Sequence, residues 1–151
     1  MPGTPEPARM GSVLAFDFGT RRIGIAVGEP DLGIAHPLPA IDEERTVPRF
    51  AAIEALLAQW KPELCVVGLP LTLAGDEQER SRLARRFAAR LRGRAHLPVH
   101  FVDERLTSVT AAERLRSAGA SSRVAAEHND SAAACEILTA WFASVRTPEA
   151  G

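Results

Sequence analysis

At 151 residues the chain has room for one domain with its own core and not for two full ones. Its composition, 46% hydrophobic and 25% charged, is that of an ordinary globular protein. A formal net charge of −1 gives no global signal for nucleic acid, and no apolar run approaches the length needed to span a membrane.

Residues 1–12 are rich in Pro and Gly and have no apolar signal-peptide core, so they read as a disordered lead-in to a domain spanning 13–146, with 147–151 as a disordered tail. Val13 to Phe18 is a short apolar run, and Arg22 to Gly28 is another. The brief Gly-Thr-Arg link between them predicts a β-hairpin. A third strand is expected near Gly33 to Pro39, with its prolines placing it at a sheet edge. From Thr46, with Pro48 in the first turn, Phe50, Ile53, Leu56, Leu57 and Trp60 recur at helical spacing. Leu64 to Leu69 reads as a fully buried parallel strand, and Pro70 to Asp76 as a loop.

A second helix is expected from about Glu77 to Arg92, with Leu83, Phe87 and Leu91 on one face. Residues 80–94 carry a local run of arginines, Arg80, Arg82, Arg85, Arg86, Arg90, Arg92 and Arg94, which reads mainly as a solvated helix face. Pro98 to Asp103 is a further strand, followed by a short helix near Ser108 to Ser117 and a mobile loop over Gly119 to Asn129. A last helix from Asp130 to Val145 presents Ile137, Leu138, Trp141 and Phe142 as its core stripe. Strands first, then alternating helix and strand, make an α/β fold with a mixed sheet: an antiparallel hairpin and edge strand, then parallel strands, flanked by helices. Cys65 and Cys135 lack ligand-like spacing and read as buried free thiols, which suits a reducing cytoplasm.

Three acidic stretches stand apart. Asp17 and the pair Asp103-Glu104 each end an apolar run, and Asp130 opens an apolar helix. Ligand sites in open α/β sheets gather at the carboxyl ends of strands. Carboxylates brought together there repel one another unless a divalent cation neutralises them, so the pattern points to Mg²⁺ or Mn²⁺. Singly, each acid has a plainer role: Asp17 with Gly19 builds a turn, Asp130 caps a helix, and Asp103-Glu104-Arg105 forms a solvated charge cluster.

The hairpin with an acid-ended strand, joined to two parallel strands, is the layout of ribonuclease H-like nucleases. The stretches Phe16-Asp17-Phe18-Gly19-Thr20-Arg21-Arg22-Ile23-Gly24, Val67-Gly68-Leu69-Pro70-Leu71 with Gly75, Asp103-Glu104-Arg105-Leu106-Thr107, and Asp130 with Ala132, Ala133, Ile137 and Leu138 resemble the YqgF (RuvX) family over about Val13 to Phe142. The resemblance implies a cytoplasmic bacterial nuclease of ribonuclease H-like fold that matures the 5′ end of precursor 16S rRNA, with Holliday-junction resolution as the alternative. It also implies that Asp17, Glu104 and Asp130 are catalytic and hold the metal, by a two-metal mechanism needing no histidine or serine nucleophile. Asp103 and Glu127 are further candidate ligands, Glu127 because it lies three residues before Asp130. Arg21, Arg22 and Arg105 flank the acids, where they either clamp phosphates or pair with the carboxylates themselves.

The implied partners are structured RNA, with a pre-ribosomal particle supplying specificity, or a four-way DNA junction. A resolvase needs a two-fold dimer, and the sequence leaves monomer or homodimer open. Two other classes compete. The Phe16-to-Thr20 stretch also resembles the first phosphate loop of actin-like ATPases, which need two such domains, and a non-catalytic RNA- or protein-binding module would keep the fold without the chemistry.

Overall fold

A computed structural model describes residues 11–106 and 122–146, without the side chains of residues 106, 122–129 and 146. The short helix expected near Ser108 to Ser117 lies outside the described residues, as do the lead-in to Met10 and the tail.

Five strands form one sheet in the order β3-β2-β1-β4-β5. They are β1 (Val13–Asp17), β2 (Ile23–Glu29), β3 (Ile34–Ile41), β4 (Leu64–Leu69) and β5 (Val99–Asp103). The β1–β2 and β2–β3 pairs are antiparallel, whereas β1–β4 and β4–β5 are parallel. β3 is an edge strand, as Pro37 and Pro39 require, although it runs on to Ile41. β1 therefore sits in the middle, with a strand of each orientation beside it.

Alternation along the strands sends side chains to two separate cores. Leu14, Phe16, Cys65 and Val67 pack with Phe50 and Ile53 of α1 (Thr46–Trp60) and with Ala84, Phe87, Ala88 and Leu91 of α2 (Glu79–Ala95). Val13, Ala15, Leu64 and Val66 point the other way, onto Ala134, Ile137, Leu138, Trp141 and Phe142 of α3 (Ser122–Arg146). The result is three layers, with the sheet between α1/α2 and α3. Cys65 is buried and its thiol is pushed up to about 12 by burial, so it behaves as a small apolar side chain. Cys135 is only half-buried, and no disulfide links the two.

Three helix boundaries differ from expectation. α2 begins at Glu79, because Glu77 is drawn into a β-bridge with Leu71 and the Ser81 hydroxyl accepts the Gln78 N–H at 3.0 Å. The same hydroxyl donates to the Pro70 carbonyl, tying the helix start to the end of β4. It ends beyond Arg92, at Ala95, where His96 takes the left-handed conformation at φ 55° and Pro98 follows. The larger difference concerns α3. Residues 122–129, expected as a loop, are its first turns, so Asp130 lies inside the helix and is not its N-cap.

Candidate active site

Asp17 ends β1 at the carboxyl edge of the parallel strands, on the face shared with Val13 and Ala15, which is the α3 face. Its neighbours on both sides are glycines. Asp17 pairs with Gly24 of β2, and Gly68 follows Val67, the β4 partner of Phe16. A Cβ on Gly24 would lie 2.3 Å from the Asp130 carbonyl oxygen, so the absent side chain is what lets α3 settle onto the sheet there. A Cβ on Gly68 would lie 2.6 Å from Glu104 Oε1 and 2.5 Å from Ile137 Cδ1. The bare glycine surface is the path by which Glu104 crosses β4 toward Asp17.

Glu104 and Asp17 meet: their carboxyl groups share a hydrogen bond. Burial is the main cause that pushes Glu104 up to about 8, reinforced by that bond and by repulsion from the Asp17 charge. Burial raises Asp17 as well, while the bond from Glu104 and the positive charge of Arg80 pull the other way. Two half-buried carboxyls brought together and sharing a proton have a deficit of positive charge.

Asp103, adjacent in sequence, points elsewhere. Its carboxylate takes Arg105 Nη2 at 2.6 Å and Nε at 2.9 Å and accepts the Arg105 N–H at 2.9 Å, and the guanidinium holds its carboxyl below the usual range. Arg105 also donates to the Leu73 carbonyl at 3.3 Å, so it braces the loop after β4. Asp130 is held by Arg22, whose Nη1 donates to Oδ1 at 2.9 Å; Arg22 also reaches Asp42 at 3.5 Å. Arg21 is exposed and makes no ion pair among the described residues. Glu127 and His128 belong to α3, but their side chains lie outside the described residues. Among the described residues, no three acidic, His or Cys side chains converge closely enough to cage a metal; of the predicted acids, the structure brings Asp17 and Glu104 together.

Two further contributors are not apparent from sequence reasoning. Arg80, counted there among the solvated arginines, acts on both Asp17 and Glu104. The signal for it was positional, since the first turn of a helix entered from the end of β4 must lie near the strand edge that carries the acids. The second is Ser131. Its hydroxyl accepts the Ile25 N–H at 3.1 Å and donates to the Leu38 carbonyl at 2.6 Å, filling the gap where the β2–β3 register shifts between Ile23 and Ile25. That cross-link fixes α3 at the residue next to Asp130.

The sequence profile of the RuvX family, described as Holliday junction resolvase, matches residues 11–144. The chain belongs to the RuvX family. Its relatives include a protein of Methylobacillus flagellatus named "Putative pre-16S rRNA nuclease", 52% identical over 140 residues that make up 91% of this chain and 96% of the relative. A protein of the same name from Dechloromonas aromatica is 53% identical over 135 residues, 89% of this chain and 92% of the relative. Among solved structures, RuvC of T. thermophilus in complex with a Holliday junction substrate superposes with a TM-score of 0.52 at 16% identity, over 90% of this chain and 96% of that one. At that identity the likeness speaks to the fold, which is ribonuclease H-like, as the acid-ended hairpin predicts. No described helix of this RuvX-family chain is long and apolar enough to cross a membrane.

Proposed function

We propose that this chain is a metal-dependent nuclease that hydrolyses phosphodiester bonds and matures the 5′ end of precursor 16S rRNA in the cytoplasm. The observation that carries the chemistry is the proton-sharing Asp17–Glu104 pair at the carboxyl edge of β1 and β5. The substrate rests on the relatives' names.

The donor set suits a hard divalent cation such as Mg²⁺ or Mn²⁺. It offers carboxylate oxygens with no thiol or imidazole among the acids described, and its shared proton occupies the place of a missing positive charge. Asp17 and Glu104 would hold the cation, with Asp130 as the third carboxylate on the same face of the sheet. Bound there, it would supply the charge that polarises the phosphodiester and makes water a better nucleophile near neutral pH. Asp17, fixed by the central strand, sets the position of the centre. Glu104 would serve as a ligand in its ionised form. Arg22 keeps Asp130 aligned until its carboxylate is recruited, and Arg80 adds a positive charge beside the acids where an anionic backbone must approach.

The test is cleavage of a precursor-rRNA 5′ leader by wild type, Asp17→Asn and Glu104→Gln, with Mn²⁺ or with EDTA. Wild type should cut only with metal, and each variant should lose about 100-fold or more, the scale of removing one preorganised electrostatic partner. Full activity of Asp17→Asn would sink the assignment. A second substrate, a four-way DNA junction, belongs in the same experiment because the family profile is described as a junction resolvase. Paired cuts in the junction, in step with dimer formation, would favour that activity over rRNA maturation.

A further inference from the structure

On the opposite face of the sheet from the carboxylates, between α1 and α2, lies a cavity of about 320 Å³. Its walls include Phe18 and Thr20, which directly follow Asp17 in the chain, together with Arg49, Arg86, Phe87 and Arg90. The size is at the low end of that found for small-ligand sites. The charge is what distinguishes it. Most arginines of α2 are accounted for by local partners: Arg82 pairs with Glu79, Arg85 with Glu77 at 2.6 Å, Arg94 with Glu54 at 3.5 Å, and Arg92 donates to the Val99 carbonyl at 3.2 Å. Arg86 and Arg90 are exposed and have no hydrogen bond or ion pair among the described residues. They are four residues apart, on one helix face, where like charges repel unless an anion lies between them.

The third arginine is built in. Arg49 is only 6% exposed, and its Nε and Nη2 donate to the carbonyls of Glu43, Gly19 and Thr20 at 2.7, 2.8 and 3.1 Å. Its Nη1 has no hydrogen bond among the described residues, and the guanidinium carbon lies 5.3 Å from the Phe18 ring centroid. Glu43 and Glu44 lie within electrostatic range of it, but the Glu43 carboxylate is already engaged by Arg45. Apolar surface is supplied by Phe18, half-buried and stacked on Phe87 with ring centroids 4.9 Å apart. Guanidinium groups around an aromatic wall are the chemistry that binds a phosphate carrying a base.

We infer that this cavity holds one nucleotide of a single-stranded nucleic acid, its phosphate between Arg86 and Arg90 and its base or ribose against Phe18. The inference deepens the nuclease reading and rests on it, because β1 connects the two sites: Asp17 faces the cleavage centre and Phe18 the cavity. A strand crossing the sheet edge past Arg80 would reach both, and the flanking nucleotide would set which bond meets the acids.

The test is binding of a short fluorescein-labelled single-stranded RNA to wild type in EDTA, so that binding is read apart from cleavage. Arg86→Gln/Arg90→Gln should weaken binding by about 10-fold or more and lower the slope of log affinity against log salt by roughly one, as expected for losing one to two single-strand phosphate contacts. Arg82→Gln, which removes one positive charge from another part of α2, should bind as wild type does, and Arg86→Lys/Arg90→Lys should recover most of the loss. With metal, the double Gln variant should raise KM and leave kcat near the wild-type value. Wild-type affinity in the double Gln variant, an equal loss in Arg82→Gln, or no binding of the strand by wild type would each overturn the inference. Adenosine 5′-monophosphate should compete only weakly; competition as strong as that of the RNA would assign the cavity to a free nucleotide and overturn the strand. Unchanged binding with intact cleavage would remove this site alone, whereas lost binding in a protein that never cuts would remove the nuclease reading and leave the site.

Discussion

Glu104 carries a pH signature of its own. Its carboxyl ionises near 4.5 in an unfolded chain and near 8 in the folded one. Between those values the folded state keeps a proton that the unfolded state has lost, so the stability it contributes is complete below about pH 4.5 and drains away as pH rises to about 8. Thermal melts of the metal-free protein should fall across that window, and Glu104→Gln should flatten the fall. The glycine beneath it makes a second prediction. In Gly68→Ala the new methyl meets two side-chain ends, Ile137 Cδ1 and Glu104 Oε1, both of which have some freedom to move. The fold should survive at a cost of about 1–3 kcal/mol, the usual range for overpacking. Metal-dependent cleavage should fall further than that loss explains, because the atom displaced belongs to the candidate centre. Comparing the urea midpoint with kcat separates the two effects. Sequence alone flagged Asp17 and Glu104 but not the floor on which they meet, since a glycine inside a strand advertises close approach without saying what approaches.

Among the elements, those legible in sequence were the ones with strong local patterns. The apolar runs of β1, β2 and β4 and the helical spacing of α1 depend on neighbours within a few residues, and the edge placement of β3 follows from its prolines. The start of α3 was not legible. Gly119, Ser121, Ser122 and Asn129 carry turn chemistry, yet Val124, Ala125, Ala126 and Glu127 between them extend the helix before its apolar stripe begins. Pairing of Arg105 with a neighbouring carboxylate was one of two readings, but the choice of Asp103 was not legible, because rotamers and not spacing decide which acid an arginine meets. Ser131 shows what such hidden links do. Replacing it by Ala would strand the Ile25 N–H and the Leu38 carbonyl, two backbone groups that the register shift leaves to its hydroxyl. The cost should be about 1–3 kcal/mol per group left unpaired, measured by denaturant unfolding. Protection of the Ile25 amide against hydrogen exchange should drop selectively, identifying the loss with this link and not with general loosening.

For the molecule as a whole, near-neutral charge hides a division of labour between the faces of one sheet. Acids gather under α3, and unpaired arginines gather beside α1 and α2. A cation bound by the acids should stabilise the entire cooperative unit by mass action, by about 2.7 kcal/mol at a concentration a hundred times the Kd. For a chain of this size that corresponds to roughly 5–10 °C in Tm. Saturable stabilisation by Mn²⁺ in a thermal melt, absent from Asp17→Asn, is the expected result; equal stabilisation of both proteins would place the ion elsewhere.

The position of α3 along the chain has a consequence in time. Asp17 is made early, but the layer that buries its side of the sheet, and that brings Asp130 and Ser131, comes last among the described elements. Polypeptides emerge from the ribosome amino end first, at about 5–20 residues per second. For the seconds before α3 docks, the nascent chain has its first acid in place without the helix that completes the site. The proposed site is thus incomplete until the last described helix has been made and has docked, so the order of synthesis sets when that site is first assembled.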